Sequence, residues 1–257
     1  MNINILQLID GAKKATGLTV VIDVFRAFTT ACFIMNNGAS AIYPVGSVSE
    51  AFRLKSEIPD SLLVGERNEV IVPGFDYGNS PANIEHIDFS GKNIIHTTSA
   101  GTQGIVNAVN ADEIITASFV NANAVARYIK LKNPETVSIV CMGKAAVEPT
   151  EEDTWCAEYI KALVNGEDYC IKEKLAELRY LEGRRYFKAD NQQQCPERDF
   201  YLSTQTGLFD FVLKALPIDP SQPLYKLIKI EIYNRAVEQE LTIDRNPFRT
   251  VFTGVEK

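Results

Sequence analysis

The stretch Leu18-Thr19-Val20-Val21-Ile22-Asp23-Val24 is a run of apolar and β-branched residues that carries a carboxylate close to its end. A short apolar run of this kind predicts a strand that is buried on both faces, as in parallel sheets. A helix is predicted next, over residues 29–37, because Gly38 marks its C-terminal end. A buried strand that leads through polar residues into a helix is the repeating unit of an α/β fold.

The same unit recurs along the chain. Further strands are predicted at residues 41–45, 62–65, 93–96, 113–117 and 136–142, and helices at 47–58, 104–110, 121–132 and 151–165. This alternation predicts an α/β fold with a mostly parallel sheet and helices on both faces.

The C-terminal part is less regular. A helix is predicted over residues 172–186, residues 190–198 are polar, and the segment from Leu224 onward fits either a strand or a helix. Neither region resembles a linker. We therefore predict one compact α/β domain over residues 1–257, with a C-terminal subdomain from about residue 150 as the alternative.

Composition narrows the class of protein. A chain of 257 residues can bury a core without disulfides or structural metals. Its five cysteines are odd in number and form no C-x-x-C pair, so we expect a reducing, cytoplasmic location. We expect no membrane association, because no apolar run is long enough to span a bilayer. The net charge of -7 argues against nucleic-acid binding. A homo-oligomer is compatible with the sequence, which gives no oligomeric state.

Polar side chains cluster after the predicted strands. In open parallel sheets, ligands bind at the carboxyl ends of the strands. Carboxylates, cations and hydroxyl groups together are typical of a phosphate and metal site. The charged and amide residues at these positions are Asp23, Arg26, Glu66, Arg67, Asn121, Lys144, Glu152 and Asp153.

The loop after the predicted strand 93–96 reads Thr97-Thr98-Ser99-Ala100-Gly101-Thr102. Small residues let a backbone approach an oxyanion, and hydroxyl and N–H groups at a helix start can bind phosphate. The alternative is ordinary turn chemistry, in which the hydroxyl groups only cap the next helix. The loop is not a Walker loop, since it lacks Gly-Lys-Ser/Thr. On the loop alone both interpretations stay open.

The acidic residues allow two interpretations as well. Glu152 and Asp153 lie in the predicted first turn of a helix, where acids complement the helix dipole. Beside an anion site they would repel the ligand, and Mg²⁺ would resolve this conflict by bridging carboxylate and phosphate oxygens. Asp23 is a candidate metal ligand, and its alternative role is an ion pair with Arg26 or Arg67.

Two further features have a structural interpretation beside a functional one. His96 lies at a strand end next to the loop, so it could transfer protons or simply be a hydrogen-bonded strand-end histidine. Residues 172–188 contain many cations interspersed with glutamates, which is typical of a solvated helix face.

These segments together resemble a known family. The strings VVIDVFRA at 20–27, GER at 65–67, GFDYGNSP at 74–81, TTSAGT at 97–102 and SFVNA at 118–122 resemble motifs of the 2-phosphosulfolactate phosphatase family, in the family's order and with similar spacing. The strand that leads to Glu152-Asp153 fits too. The resemblance covers about residues 18–157, and the last hundred residues are similar only around 195–199.

The resemblance implies a function. It implies an α/β, Mg²⁺-dependent phosphatase that hydrolyses (2R)-2-phospho-3-sulfolactate to sulfolactate and phosphate, a step in coenzyme M synthesis. Carried over by position, the implied metal ligands are Asp23, Glu66, Glu152 and Asp153. The implied catalytic residues are Asp23, Arg26, Glu66 and Arg67. The implied substrate-binding residues are Thr97, Thr98, Ser99, Gly101, Thr102, Asn121 and Lys144.

Three segments depart from the family's pattern: Asn68-Glu69-Val70, Ala100, and Lys144-Ala145-Ala146-Val147. We expect all three to fall inside the pocket, where they affect the choice of substrate more than the fold. They are the reason to keep a non-hydrolytic binding protein for a phosphorylated or sulfonated small acid as the alternative function. A phosphoester lyase or isomerase that uses the same pocket is a further alternative.

Overall fold

A ten-stranded sheet runs through the part of the chain that the structure describes. The fold is taken from a computed structural model, which describes residues 1–219 and 224–232. The strands lie in the order β1-β8-β2-β7-β9-β10-β3-β6-β4-β5. In chain order they are β1 Asn2–Gln7, β2 Gly17–Ile22, β3 Ala41–Pro44, β4 Ser61–Arg67, β5 Val70–Ile71, β6 Asn93–Thr97, β7 Ala111–Ala117, β8 Thr136–Cys141, β9 Phe211–Asp219 and β10 Leu224–Glu231.

The sheet contains two parallel blocks. Strands β1, β8, β2 and β7 form one block, and β3, β6 and β4 form the other. The antiparallel pair β9–β10 lies between the blocks and joins β7 to β3 through antiparallel pairings on both sides. The two blocks therefore run in opposite directions.

Helices cover both faces of the sheet. Along β2, Leu18, Val20 and Ile22 pack into one hydrophobic core, whereas Val21 packs into the other. This alternation buries both faces of the strand and confirms the predicted fold class. The α-helices are α1 Leu8–Lys14, α2 Ala27–Asn36, α3 Val48–Glu57, α4 Pro81–Ile84, α5 Gly101–Asn107, α6 Ala122–Lys132, α7 Glu151–Asn165, α8 Ile171–Leu178 and α9 Glu197–Ser203.

The predicted helix over residues 172–186 is wrong. The chain forms α8 and then a separate 3₁₀ helix over Glu182–Phe187. At Gly183 the backbone approaches Phe200 so closely that a Cβ atom would lie 2.4 Å from the Phe200 ring. This close approach packs the 3₁₀ helix against Phe200, and Tyr186 of that helix is buried against Phe25 and Phe200.

The residues after 150 are built into the same sheet. They supply α7 to one core, and β9 and β10 to the middle of the sheet. The ambiguous segment from Leu224 is a strand as far as Glu231. Residues 220–223 and 233–257 lie outside the described part, so the single domain over 1–257 stays a prediction. Within the described residues, no helix is both long and apolar enough to cross a bilayer.

Candidate active site

A cavity of about 200 Å³ lies where strand ends from both parallel blocks meet. Asp23 directly follows β2, and Gly143 follows β8. From the other block, Glu66 lies near the end of β4, and Ser99 follows β6. The charged and polar side chains in the lining are Asp23, Arg26, Glu66, Asn68, Glu69, Asn79, Ser99, Lys144, Glu152, Asp153 and Arg185.

Asp153 is held in place by backbone donors. Its Oδ1 accepts a 2.8 Å hydrogen bond from the Val24 N–H, and its Oδ2 accepts one of 2.8 Å from the Gly143 N–H. Asp153 lies in the first turn of α7, so these bonds join that helix to the ends of β2 and β8. The rigid placement of this carboxylate fixes one wall of the cavity.

Asp23 faces the start of α5. Its Oδ1 accepts a 3.0 Å hydrogen bond from the Ala27 N–H. Gly101 leaves room for its Oδ2, since a Cβ atom there would lie 2.9 Å from that oxygen and 2.7 Å from the Ala27 Cβ. Gly101 is thus required for the position of Asp23.

Glu66 organises the opposite wall. Its Oε1 accepts a 2.7 Å hydrogen bond from the Ser99 N–H, and its Oε2 accepts from the Ser99 hydroxyl and the Glu69 N–H. The carboxylate therefore ties the loop after β6 to the turn between β4 and β5.

The buried carboxylates repel one another. Burial raises the pKa of Asp23 to about 6, and the charge of Glu66 adds to the effect. Burial and the charge of Asp23 raise the pKa of Asp153 to about 8. Burial and the charge of Asp153 raise the pKa of Glu152, whose Oε2 is buried without a hydrogen-bond partner. Such a cluster favours a bound cation or a proton.

Arg185 is a cavity residue that the sequence interpretation missed. Its guanidinium is mostly buried, and its Nη2 donates to the Phe25 carbonyl at 3.3 Å. Its Nε lies 2.9 Å from Glu69 Oε1, but is not aligned for a hydrogen bond, so that contact is electrostatic. Residues 172–188 are therefore not a uniformly solvated face, because α8 ends at Leu178 and Arg185 lies on the separate 3₁₀ helix Glu182–Phe187.

Arg26 is committed to a buried ion pair. Its Nη1 lies 2.6 Å from Asp199 Oδ2 and 2.8 Å from the Gln194 carbonyl oxygen. Asp199 also accepts from the Ser80 hydroxyl and the Ala82 N–H. The partner of Arg26 is thus Asp199 and not Asp23, although Arg26 still lines the cavity.

Arg67, which the family resemblance implies as a catalytic residue, does not line the cavity. Its guanidinium donates to the Glu66 carbonyl oxygen at 2.6 Å and to the Thr97 hydroxyl at 2.8 Å. These bonds hold the side chain behind the wall that Glu66 and Ser99 form.

Only part of the loop after β6 lines the cavity, and its other hydroxyl groups have partners within the protein. Ser99 and Ala100 line the cavity. Thr98 and Thr102 do not, because each side-chain oxygen accepts a hydrogen bond from the other residue's N–H, at 3.1 and 3.2 Å. Turn chemistry therefore accounts for these two hydroxyl groups, and the Thr97 hydroxyl is taken by Arg67.

Asn121 and His96 have structural partners. Asn121 is fully buried, and its Oδ1 accepts from the Ser118 N–H at 3.0 Å, away from the cavity. His96 Nε2 lies 3.3 Å from Asn79 Oδ1. Burial, together with the charge of Arg67, lowers the pKa of His96 to about 4. It is a neutral strand-end histidine that supports Asn79 in the cavity wall.

A family model described as 2-phosphosulpholactate phosphatase matches residues 3–212. The chain belongs to the 2-phosphosulpholactate phosphatase family. The match begins within β1 and extends past α9, and it therefore includes every residue of the cavity lining.

Curated relatives agree with the family match. The chain is 32% identical over 201 residues to a probable 2-phosphosulfolactate phosphatase of Bacillus subtilis, and the alignment covers 77% of this chain and 86% of that relative. It is 44% identical over 138 residues to one of Carboxydothermus hydrogenoformans, covering 53% of this chain and 57% of the relative. A similar protein of Symbiobacterium thermophilum is 39% identical over 160 residues, with 61% and 68% covered. The chain thus spans little more than half the length of some of the relatives that it matches.

The three departures from the family's pattern meet at the cavity. Asn68, Glu69, Ala100, Lys144 and Ala145 all contribute to its lining. Each of the three segments thus contributes to the lining, whereas Val70, Ala146 and Val147 do not line the cavity. The cavity of this member of the 2-phosphosulpholactate phosphatase family therefore contains residues from each of the three segments.

Proposed function

We propose that this chain is a Mg²⁺-dependent phosphatase that hydrolyses a small phosphorylated acid, 2-phosphosulfolactate, to sulfolactate and phosphate. The observation that carries the proposal is the convergence of Asp23, Glu66, Glu152, Asp153 and Arg185 in one cavity of a chain that belongs to this family. The relatives described as probable 2-phosphosulfolactate phosphatases support the same substrate.

The charge of the cavity supports a role for a divalent cation. Five carboxylates and three cations line it, and one of the cations, Arg26, is already paired with Asp199. A phosphorylated acid would meet a net negative surface there, which costs free energy unless a cation or protons intervene.

Asp23 and Glu152 are the side chains that fit a magnesium ion best. Glu152 Oε2 has no hydrogen-bond partner, and Asp23 Oδ1 accepts a hydrogen bond from the Ala27 N–H. Asp153 and Glu66 each have both oxygens bonded to N–H or O–H donors. Within the described residues no three acidic, histidine or cysteine side chains are grouped tightly enough to enclose a metal. Mg²⁺ is commonly held by one or two carboxylates together with substrate phosphate and water.

When bound, Mg²⁺ polarises a phosphoryl oxygen and neutralises charge on the transferred group. The side chains of the cavity would orient the phosphorylated substrate. Arg185 and Lys144 provide positive charge for the anionic oxygens, and Ser99 sits at the start of α5 beside them. Arg185 would exchange its contact with Glu69 for one with the substrate.

Phosphate release tests the proposal. The purified chain should release phosphate from 2-phosphosulfolactate and related phospho-hydroxy acids with Mg²⁺, and EDTA should stop the release. Phosphorus NMR should show inorganic phosphate as the phosphorus product, whereas a lyase or isomerase that retains the ester would not yield it. Tight binding without any phosphate release would favour the non-hydrolytic binding protein instead.

The cellular setting is part of the proposal. The five cysteines are free thiols, and four of them are buried, which fits a reducing cytoplasm. A role in coenzyme M synthesis follows from the proposed substrate alone. We propose no nucleic-acid partner, given the net charge of -7. A homo-oligomer remains compatible with the chain and would be measured by light scattering.

A further inference from the structure

A second cavity adjoins the first one. It has a volume of about 280 Å³ and shares Lys144 and Arg185 with the reaction cavity. Its other cations are Arg184 and Lys188, so four cations surround it. Its acidic residues are Glu148 and Glu182. We refer to this cavity as the cationic annex.

Cations outnumber acidic residues in the cationic annex, although acidic residues outnumber basic ones in the whole chain. The sequence has 26 basic and 33 acidic residues. Among the described residues, Lys144, Arg184 and Lys188 form no salt bridge with any acidic side chain. Cations that are gathered without partners repel one another, and a bound anion relieves the repulsion.

A buried hydroxyl group without a partner independently indicates a ligand. Thr150 lines the cationic annex and is 4% exposed, and its Oγ1 has no hydrogen-bond partner among the described residues. It precedes α7, but its side chain does not cap that helix. A buried polar atom of this kind costs free energy unless a ligand or water satisfies it.

We propose that the cationic annex binds the second, non-reacting acidic group of the substrate, a sulfonate or carboxylate, while the phosphoryl ester lies in the reaction cavity. The inference rests on the proposed function. Lys144 and Arg185 line both cavities. A small molecule with anionic groups at both ends could therefore place one end in each cavity, with these two cations between the ends. Arg184, Lys188 and Thr150 then act as specificity-determining residues that recognise the second anion.

The test compares 2-phosphosulfolactate, which carries a sulfonate and a carboxylate besides its phosphate ester, with phenyl phosphate, which carries neither. Arg184→Gln and Lys188→Gln, combined in one variant, change exposed side chains that lie outside the reaction cavity. The KM for 2-phosphosulfolactate should rise about three- to tenfold with kcat almost unchanged, as expected for the loss of two partly exposed charge contacts. Phenyl phosphate, which has no second acid, should be hydrolysed with an unchanged KM. Thr150→Val should have the same selective effect.

Lys172→Gln is the matched control, since Lys172 is an exposed cation on α8 that lines neither cavity. An equal change in KM for both substrates, or no change for either, would overturn the proposal. Weaker binding of free methanesulfonate with an unchanged KM for 2-phosphosulfolactate would also overturn it, because the annex would then bind a separate anion.

Calorimetry separates this inference from the proposed function. If the chain hydrolyses no phosphate ester, the proposed function fails. Binding of sulfolactate can still be titrated, and the annex proposal predicts that the Arg184→Gln/Lys188→Gln variant binds it more weakly than the Lys172→Gln control does. Equal binding of sulfolactate by the two variants would refute the annex proposal, whether or not the proposed function holds.

Discussion

Asp153 accepts a 2.8 Å hydrogen bond from the backbone N–H of Val24, a residue 129 positions earlier in the chain. This bond attaches the first turn of α7 to the end of β2 and brings Glu152 to the same cavity as Asp23. The carboxylate cluster therefore depends on contacts between distant segments, and each member should affect stability and activity differently.

Glu152→Gln should stabilise the protein while removing activity. Burial and Asp153 raise the folded-state pKa of Glu152 above the unfolded value, so its contribution to stability is present below that unfolded value and is lost as the pH rises through the folded pKa. The variant should therefore gain about 1–2 kcal/mol in the free energy of unfolding at pH 8 and little at pH 4.5. Urea unfolding at both values measures this difference.

Glu177→Gln, on the exposed side of α8, serves as the control for this change and should leave the pH dependence unaltered. Added Mg²⁺ should raise the Tm of the native chain more than that of Glu152→Gln. A Glu152→Gln variant that loses stability at pH 8 would contradict the account of repulsion in the cavity.

Asp199→Ala should destabilise the fold strongly. It leaves the buried Arg26 guanidinium without its carboxylate, and removal of one partner of a buried pair typically costs about 3–5 kcal/mol. Chemical unfolding measures the loss, with Asp190→Ala at an exposed position as the control. A loss of stability as small as that of the control would mean that Arg26 is free to act on the substrate instead.

Gly101→Ala should reduce activity by displacing Asp23. The new Cβ would lie within 2.9 Å of Asp23 Oδ2, so the carboxylate or α5 has to move. We expect kcat/KM to fall by about tenfold or more. At Gly46 the nearest atom to an added Cβ is 3.5 Å away, so Gly46→Ala should retain activity. Similar rates for the two variants would show that the contact at Gly101 is unimportant.

His96 should make the protein acid-sensitive. Its folded-state pKa of about 4 lies below the unfolded value of 6.5, so its contribution to stability is present above pH 6.5 and is lost as the pH falls towards 4. The loss amounts to about 3 kcal/mol at most. His96→Leu should flatten this part of the stability curve, and His86→Leu, at a largely exposed side chain, should not. Parallel curves for both variants would assign the acid sensitivity to other groups.

Much of the framework could be predicted from local sequence. The apolar run 18–24 predicted β2. The positions that follow the predicted strands correctly indicated four cavity residues: Asp23, Glu66, Ser99 and Asp153. The rest depends on pairings that no local pattern encodes. Arg26 follows Asp23 closely in the sequence and lines the same cavity, yet its ion-pair partner Asp199 is 173 residues away in the chain.

Arg185 illustrates the same limit. In sequence it is one cation among several on a charged segment, and it reaches the cavity because α8 ends at Leu178 and a separate 3₁₀ helix, Glu182–Phe187, carries it. The opposite direction of the two parallel blocks was likewise unpredictable, because it follows from the insertion of β9 and β10 between them. Long-range strand pairing of this kind is set by packing and not by propensity.

Phosphate release by the Asp23→Ala variant tests the central claim most directly. With Mg²⁺ and 2-phosphosulfolactate, the native chain and an Asp168→Ala control at an exposed position should release phosphate at similar rates. The Asp23→Ala variant, shown to be folded by circular dichroism, should be slower by about a thousandfold or more, because it lacks the carboxylate that we propose as a Mg²⁺ ligand. Unchanged turnover by a folded Asp23→Ala variant would contradict the assignment of this cavity as the phosphatase site.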